Sequence, residues 1–488
     1  MAKAQLSAGM TIDGFVLQER IHRGGMATIW RVARDDIDTP IVMKVPFLDY
    51  EGDLSLLVGF EVEQMIMAEL AGPHVPRWIA NGDFTAQPYI VMEYVPGPTL
   101  LRRLLDQRLR LEEAVRLGIA IADALSDLHA QHVLHLDLKP ANILFRPGAD
   151  GGGEAVLIDF GLSRHEQLPD LLEEQFHRPT GTPEYMAPEQ LLRVRSDRRS
   201  DVFALGAILY QMATGEPPFG TPGRMAQVRE RVWRDPVPPR ARNPEIAPAL
   251  QETILKCLEP LPDRRPATAE ELAFDLRHPD LVVLTERAAR TARTGFGATL
   301  RRRLAVGRTM RAIQAAATRP LPGAPIILVA VDLRPGLDEL QAALLEAAVS
   351  VLANMPGARL ACLNVMQTSL IAIDDNVDKA GENIHVQRMA ALRRWAQPLG
   401  LPRGKVTYHL VESRNIAAGI LDFARSNKVD HLVIGAPATG VAAASRLTAQ
   451  ITTEAPCTVT VVRVAVPRAA AGEEAAAADT GQPAARAV

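Results

Sequence analysis

Cysteine is scarce in this 488-residue chain: there are three, Cys257, Cys362 and Cys457, roughly a hundred residues apart. That spacing excludes a C-x-x-C zinc knuckle and a disulfide-stapled scaffold. Long apolar runs are also missing. The longest, such as 326–331, are strand-length, whereas a membrane span needs about 20 apolar residues. The opening residues, Met1 to Ser7, hold no apolar core of the kind a signal peptide needs. Charge of either sign is not in excess. Lys and Arg total 54 against 57 Asp and Glu, a net −3, which argues against a globally basic nucleic-acid binder. These absences together predict a cytoplasmic protein in a reducing compartment. The 47% hydrophobic and 23% charged residues exclude wholesale disorder, a collagen-like repeat and a coiled-coil rod.

Composition shifts divide the chain into a short lead (1–12), a mixed unit (13–280), an Arg-rich linker (281–323), an alternating unit (324–466) and an Ala/Gly/Glu-rich tail (467–488). The tail has no periodic apolar face and is expected to be disordered. Within 285–320 there are nine Arg and one acid, Glu286, so this stretch carries +8 and the remainder −11. Leu300, Leu304, Met310 and Ile313 recur there at near-helical spacing, which predicts an amphipathic helix. Such a helix packs on the acidic remainder of the chain, or meets an anionic membrane or nucleic acid.

In the mixed unit, Ile21-His22-Arg23-Gly24-Gly25-Met26-Ala27-Thr28-Ile29 places two glycines between apolar runs. This predicts a hairpin whose backbone can approach a ligand closely. Ile41-Val42-Met43-Lys44 is an apolar strand ending on a lysine. His135-Leu136-Asp137-Leu138-Lys139-Pro140-Ala141-Asn142 sets Asp, Lys and Asn two and three residues apart. Asp159-Phe160-Gly161 follows a short strand, and Gly181-Thr182-Pro183-Glu184-Tyr185 precedes Ala187-Pro188-Glu189. Ser200-Asp201 then opens a helix. Any one of these could arise by chance. The ordered set resembles the bacterial branch of the eukaryotic-type Ser/Thr protein kinases.

That resemblance implies an α+β bilobal kinase fold over 13–280, with ATP and Mg²⁺ (or Mn²⁺) as cofactors and protein hydroxyls as substrates. Phosphoryl transfer needs positioning and charge neutralisation more than covalent help. By the resemblance, Lys44 contacts the α- and β-phosphates and a helix glutamate fixes it. Glu63 is favoured by spacing and Glu61 is the alternative. Asp159 and Asn142 hold the metal, Asp137 accepts the substrate proton, and Lys139 holds the γ-phosphate. Ile21, Gly24, Gly25 and Ile29 cover the nucleotide. Met92 guards the back pocket, and the backbone at Glu93, Tyr94 and Val95 meets the adenine edge. Glu189 is expected to pair with Arg265, and Asp201 to anchor the catalytic loop. Thr180 and Ser163 are the loop hydroxyls open to autophosphorylation. His129, His132 and His135 fall at i, i+3, i+6. His135 matches a core histidine of the family, and the other two read as helix-end residues.

Two departures stand out. The family's Gly-x-Gly-x-x-Gly loop has His22 and Ala27 at its outer positions, which is expected to slow turnover. Leu136 replaces the arginine that normally meets an activation-loop phosphate, so catalysis is expected not to need phosphorylation through that contact.

The alternating unit reads as five strands (326–331, 360–365, 406–411, 431–434, 458–464) separated by helices. That order predicts a doubly wound parallel sheet with ligands at the strand carboxyl ends. The runs ending at Asp332 and Gly435, with Ala455-Pro456-Cys457, resemble the universal stress protein family. Nucleotide-binding members carry Gly-x-x-Gly and a Gly-Ser/Thr pair after strand four. Here Ala438 and Ser445-Arg446 stand there, with Gly440 displaced. Asp332, Gly435 and Arg446 are the ligand candidates of a unit read first as a sensing or dimerisation module. The resemblance implies a homodimer through 458–464. The whole reads as a Ser/Thr kinase of stress or metabolic signalling with a regulatory second domain. The alternative is a nucleotide-binding pseudokinase scaffold.

Overall fold

The computed structural model describes residues 6–47, 54–147, 153–176, 178–292, 295–317, 324–368, 383–402, 404–436 and 442–464. The tail 467–488 and the loop holding Ala438 and Gly440 lie outside the described residues, as does the side chain of Ser445. The chain forms two compact units. One is Met1–Ala324 with Ile371–Leu410, and the other is Pro325–Leu370 with Val411–Val488.

The first unit opens with six strands: β1 (Thr11–Ile12), β2 (Phe15–Arg23), β3 (Ala27–Ala33), β4 (Ile41–Pro46), β5 (Trp78–Gly82) and β6 (Tyr89–Glu93). They pair antiparallel in the order β1-β2-β3-β4-β6-β5. Phe15, Leu17, Trp30, Val32, Ile41, Met43, Tyr89 and Val91 form the core on one face, as period-2 alternation requires. Helix Leu54–Met67 is buried almost all round from Leu57 onward, so it needs cover on more than one side.

Two short ladders follow. β7 (Val133–Leu134) pairs with β10 (Arg164–His165), and β8 (Ile143–Phe145) with β9 (Ala155–Leu157). The rest of this unit is helical. Helix Leu111–Ala130 carries Glu112 and Glu113 in its first turn, acids that complement its dipole, and His129 in its last. Its buried face crosses helix Arg199–Thr214. A Cβ on Gly118 would sit 2.4 Å from Leu209 Cδ2, so any larger residue there would have to displace the Leu209 side chain. Helix Arg199–Thr214 is buried along nearly its whole length and ends at Gly215, with φ of +85°. Each fully buried Leu or Ile there contributes about 1.5–3 kcal/mol.

The linker departs from the single amphipathic helix expected. It forms Glu286–Ala289, Phe296–Leu304 and Val306–Ala317, broken at Ala305. Ile313, in the second of the two longer helices, is fully buried, but Leu300 and Leu304, in the first, are exposed. Several arginines bind acids of the same unit: Arg287 meets Glu252 and Glu259, and Arg290 and Arg302 both meet Asp235. Among the described residues no helix is long and apolar enough to cross a membrane.

The second sheet holds β11 (Ile326–Ala330), β12 (Arg359–Gln367), β14 (His431–Ala436) and β15 (Thr458–Arg463) of the second unit, with β13 (Val406–Ser413), whose residues up to Leu410 are counted in the first unit. Their order is β13-β12-β11-β14-β15. β11 runs parallel to β12 and β14, and β14 parallel to β15. Leu328, Ala361, Leu363, Leu432 and Ile434 pack under helices Ile416–Ser426 and Ala442–Glu454. Cys257 and Cys362 are buried and unbridged, and burial pushes the Cys257 thiol up to about 12, which removes thiolate chemistry there.

Candidate active site

Lys44 sits in the middle of its sheet, opposite Ile29 of β3 and Ile90 of β6. Its Nζ donates to both carboxylate oxygens of Glu63, at 2.8 and 2.6 Å, and to Asp159 Oδ1 at 3.1 Å. Burial opposes the charge on Lys44, but the carboxylates of Asp159 and Glu63 outweigh it and hold its pKa above the ordinary value. In turn Lys44 beside it, against burial, holds the Asp159 carboxyl below the usual carboxylate range. Glu61 does not reach Lys44; it pairs with Arg393.

Asp159 adopts φ of +68°, a left-handed backbone that costs a non-glycine residue on the order of 1–3 kcal/mol. The following Phe160 is fully buried beside the ring of His135, centroids 5.4 Å apart. Gly161 meets Gly59 of helix Leu54–Met67, where an added Cβ would lie 3.1 Å from the Gly161 oxygen. The helix carrying Glu63 thus rests backbone to backbone on the turn carrying Asp159.

Asp137 Oδ1 accepts from Thr182 N at 2.7 Å and Thr182 Oγ1 at 2.6 Å, and Oδ2 accepts from Lys139 Nζ at 2.7 Å. Asn142 Nδ2 donates to the Asp137 carbonyl at 3.1 Å, which leaves the amide oxygen as the group available to a cation. The Asp159 side chain is 42% exposed, so its carboxylate is not sealed off. An amide oxygen and an open carboxylate are hard donors of the kind Mg²⁺ prefers.

The loop is held from beneath. Asp201 accepts from His135 N and Leu136 N, both at 2.8 Å, and meets His129 Nε2 at 2.9 Å. Burial raises the carboxyl of Asp201, but the hydrogen bonds and charge of His129 more than offset it, and the pKa lies below the ordinary value. His129 lies in the last turn of its helix, as read from the sequence, and it is also buried there and ties the Leu111–Ala130 helix to Asp201. The three spaced histidines face separate partners, since His132 meets Glu166 and His135 stays in the core. Among the described residues no His, Cys, Asp and Glu group could hold a metal ion by itself. Glu189 and Arg265 are both fully buried and bidentate, at 2.6 and 2.8 Å.

Residues 15–276 match the family model described as the protein kinase domain, more than half of the chain. The chain belongs to the protein kinase family. Residues 324–463 match the universal stress protein family. The serine/threonine-protein kinase pkn3 of Myxococcus xanthus is 33% identical over 269 residues, covering 53% of this chain and 49% of that protein. PknB of Mycolicibacterium smegmatis is 34% identical over 271 residues, covering 54% and 42%. The chain spans about half the length of these relatives or less. The Mycobacterium tuberculosis PknI kinase domain matches 56% of this chain and 100% of its own, at 24% identity and a TM-score of 0.45.

In the kinase domain the glycine hairpin closes with Gly24 N donating to Ala27 O at 3.0 Å. His22 pairs opposite Ile29, so it continues the β2–β3 ladder without needing glycine's freedom. Ile21 is 39% exposed at this rim, and Gly25 has open space where a Cβ would be. At the strand-to-loop edge, Met92 is half-buried and Val95 buried. The Glu93 carboxylate is held by Arg146, whose hydrogen bond outweighs burial and lowers its pKa.

Leu136 lies in left-handed backbone, at φ of +60°, and is buried. An arginine from another position takes up the loop hydroxyl instead. Arg195 donates to Thr180 Oγ1 at 2.9 Å and is itself fixed by Asp170 at 2.8 Å and by the carbonyls of Leu162 and Ser163. Ser163 is 1% exposed and donates to His135 O, which leaves Thr180 the more accessible of the two. Nothing near Leu136 in sequence signals Arg195. Loss of one hydroxyl bond to an arginine held by three other groups is worth about 1 kcal/mol. Thr180→Ala is therefore expected to keep most of the phosphotransfer rate, and a loss beyond about tenfold in a steady-state assay contradicts this.

In the second unit, Asp332 follows β11 and is bound by Arg334. Gly435 lies in β14, against Leu340. Arg446 is exposed on helix Ala442–Glu454. The adjacency of β11 and β14 brings Asp332 and Gly435 to neighbouring strand ends.

Proposed function

We propose that the chain is a Ser/Thr protein kinase that transfers the γ-phosphoryl of ATP to protein hydroxyls, its own included. The observation that carries this reading is Lys44 held between Glu63 and Asp159, with the charge of Lys139, from the Asp137–Lys139–Thr182 cluster, also felt at Asp159. In this reading Lys44 binds the α- and β-phosphates, and Asp159 and Asn142 hold Mg²⁺, or Mn²⁺ in its place. The metal neutralises charge on the phosphates when bound. Asp137 orients the acceptor hydroxyl and takes its proton, and Lys139 steadies the γ-phosphate. Ile21, Gly24, Gly25, Ile29, Met92, Glu93 and Val95 enclose the nucleotide. Glu189, Arg265 and Asp201 serve geometry.

The second unit is read as a regulatory module for stress or metabolic signals, pairing with a second copy through β15. Its Asp332 is already engaged by Arg334, which supports a module without nucleotide. A cytoplasmic location agrees with the unbridged cysteines. The Arg-rich linker is read as packing on the kinase lobe through Asp235, Glu252 and Glu259 rather than on an anionic surface.

The test is phosphate transfer from labelled ATP with Mg²⁺ by the full chain, mapped by mass spectrometry, with Asp137→Ala beside it. Label on Ser or Thr, Thr180 among them, that disappears in the variant is the expected result. ATP binding without any transfer would turn the reading to a nucleotide-binding scaffold.

A further inference from the structure

Helix Leu54–Met67 carries two buried glutamates, Glu61 and Glu63. Positions two apart on a helix point about 200° away from each other. Glu63 faces Lys44, so Glu61 faces away from it, and there it meets the guanidinium of Arg393. Arg393 lies on helix Ile384–Ala396, inside the stretch matched by the universal stress protein model. Its segment nonetheless belongs to the first compact unit.

The contact is built rather than incidental. The Arg393 guanidinium lies over the rings of Phe84 and Tyr408, at 5.2 and 4.7 Å. Phe84 in turn meets Phe60 of the glutamate helix edge-on, with centroids 6.3 Å apart. Around the pair, Leu57, Phe60, Phe84 and Ile90 share one apolar cluster with Met389 and Leu410. The side of the helix turned from Lys44 is thus covered by this segment. The same segment also reaches the loop that follows Asp159. His409 lies 3.2 Å from Glu174 and from Gln175, and Gln175 donates to the Leu410 carbonyl. Helix Leu171–Gln175 is capped by Asp170, the residue that fixes Arg195.

We propose that Arg393 is a positioning residue for phosphoryl transfer, holding Glu63 on Lys44 by gripping Glu61 from the opposite side of their shared helix. It touches neither nucleotide nor acceptor. A helix gripped from both sides cannot roll or withdraw, and the Lys44 ammonium stays where the phosphates need it. The role rests on the kinase reading above and adds to it a dependence on a segment outside the kinase-family match.

The full chain carrying Arg393→Gln is compared with wild type in labelled-ATP assays. Small misplacements of catalytic groups cost up to about a hundredfold in rate, so kcat is expected to fall about tenfold or more. KM for ATP is expected to change less than about threefold, because the residues read as enclosing the adenine, Met92, Glu93 and Val95, do not depend on the grip. The double variant Glu61→Gln with Arg393→Gln removes the stranded carboxylate and lets two amides pair. It is expected to recover to within about threefold of wild type. A single-variant effect under about twofold, or a loss that the second substitution leaves unrelieved, overturns the proposal. Amide hydrogen exchange over residues 54–67 reads the same grip without turnover. Exchange is expected to rise in Arg393→Gln and to return in the double variant, and unchanged exchange also overturns the proposal. An inactive wild type would instead remove the kinase reading and leave the exchange result to decide the grip. A thermal melt identifies any variant that has simply unfolded.

Discussion

Asp159→Asn is expected to lower phosphotransfer by on the order of 10²–10³-fold, as removal of a group that stabilises developing charge does. The carboxylate has two duties in the geometry. It is one of the two acids that share the Lys44 ammonium, and its side chain, 42% exposed, is open to a cation. An asparagine keeps the shape and removes the charge, so a cation there loses its anionic ligand. Lys44→Met is expected to lose a similar factor for a different reason. It leaves Glu63, 3% exposed, with no cation, and the phosphates with no ammonium. Steady-state rates with saturating ATP and Mg²⁺ measure both. A residual rate within about tenfold of wild type in either variant would remove these residues from the reaction.

Arg265→Ala is expected to destabilise the first unit by about 3–5 kcal/mol, because it strands a buried carboxylate. Both partners of the Glu189–Arg265 pair are fully buried. Arg265 also donates to the carbonyls of Arg199, Glu259 and Pro260 and lies over the Phe203 ring. Ser200 adds a bond to Glu189 at 2.7 Å. One guanidinium thus joins the ends of three chain segments, and its removal leaves five acceptors short of a donor. Denaturation of the full chain by urea, followed by a probe in the first unit, is expected to show an earlier midpoint with little change in slope. Glu189→Gln with Arg265→Met is expected to lose less than Arg265→Ala, since no lone charge remains. An unshifted midpoint in Arg265→Ala would show the pair to be dispensable.

Much of this was legible in the linear order of residues. Asp137, Lys139 and Asn142 lie within six positions of one another, and a short loop brings such neighbours together whatever surrounds it. The strands and helices of the second unit followed from alternating apolar runs, because periodicity is a local property of the chain. The linker was less legible. Its apolar spacing suggested one helix, and the break falls on Ala305, itself the strongest of helix formers, with Gly307 two residues on.

By itself, the sequence determined which polar residues were available for phosphoryl chemistry, the kinase-then-stress-protein order and the period of each element. Tertiary structure alone decided which buried charge meets which. Glu61 and Glu63 are the same residue type on one helix, and only packing turns one to Lys44 and the other to Arg393. Arg195 reaches Thr180, and His129 reaches Asp201, through folds of the chain that no spacing encodes. The physical reason is burial. A charge out of water must find its partner wherever the fold supplies one, and that partner is chosen by three-dimensional proximity rather than by distance along the chain.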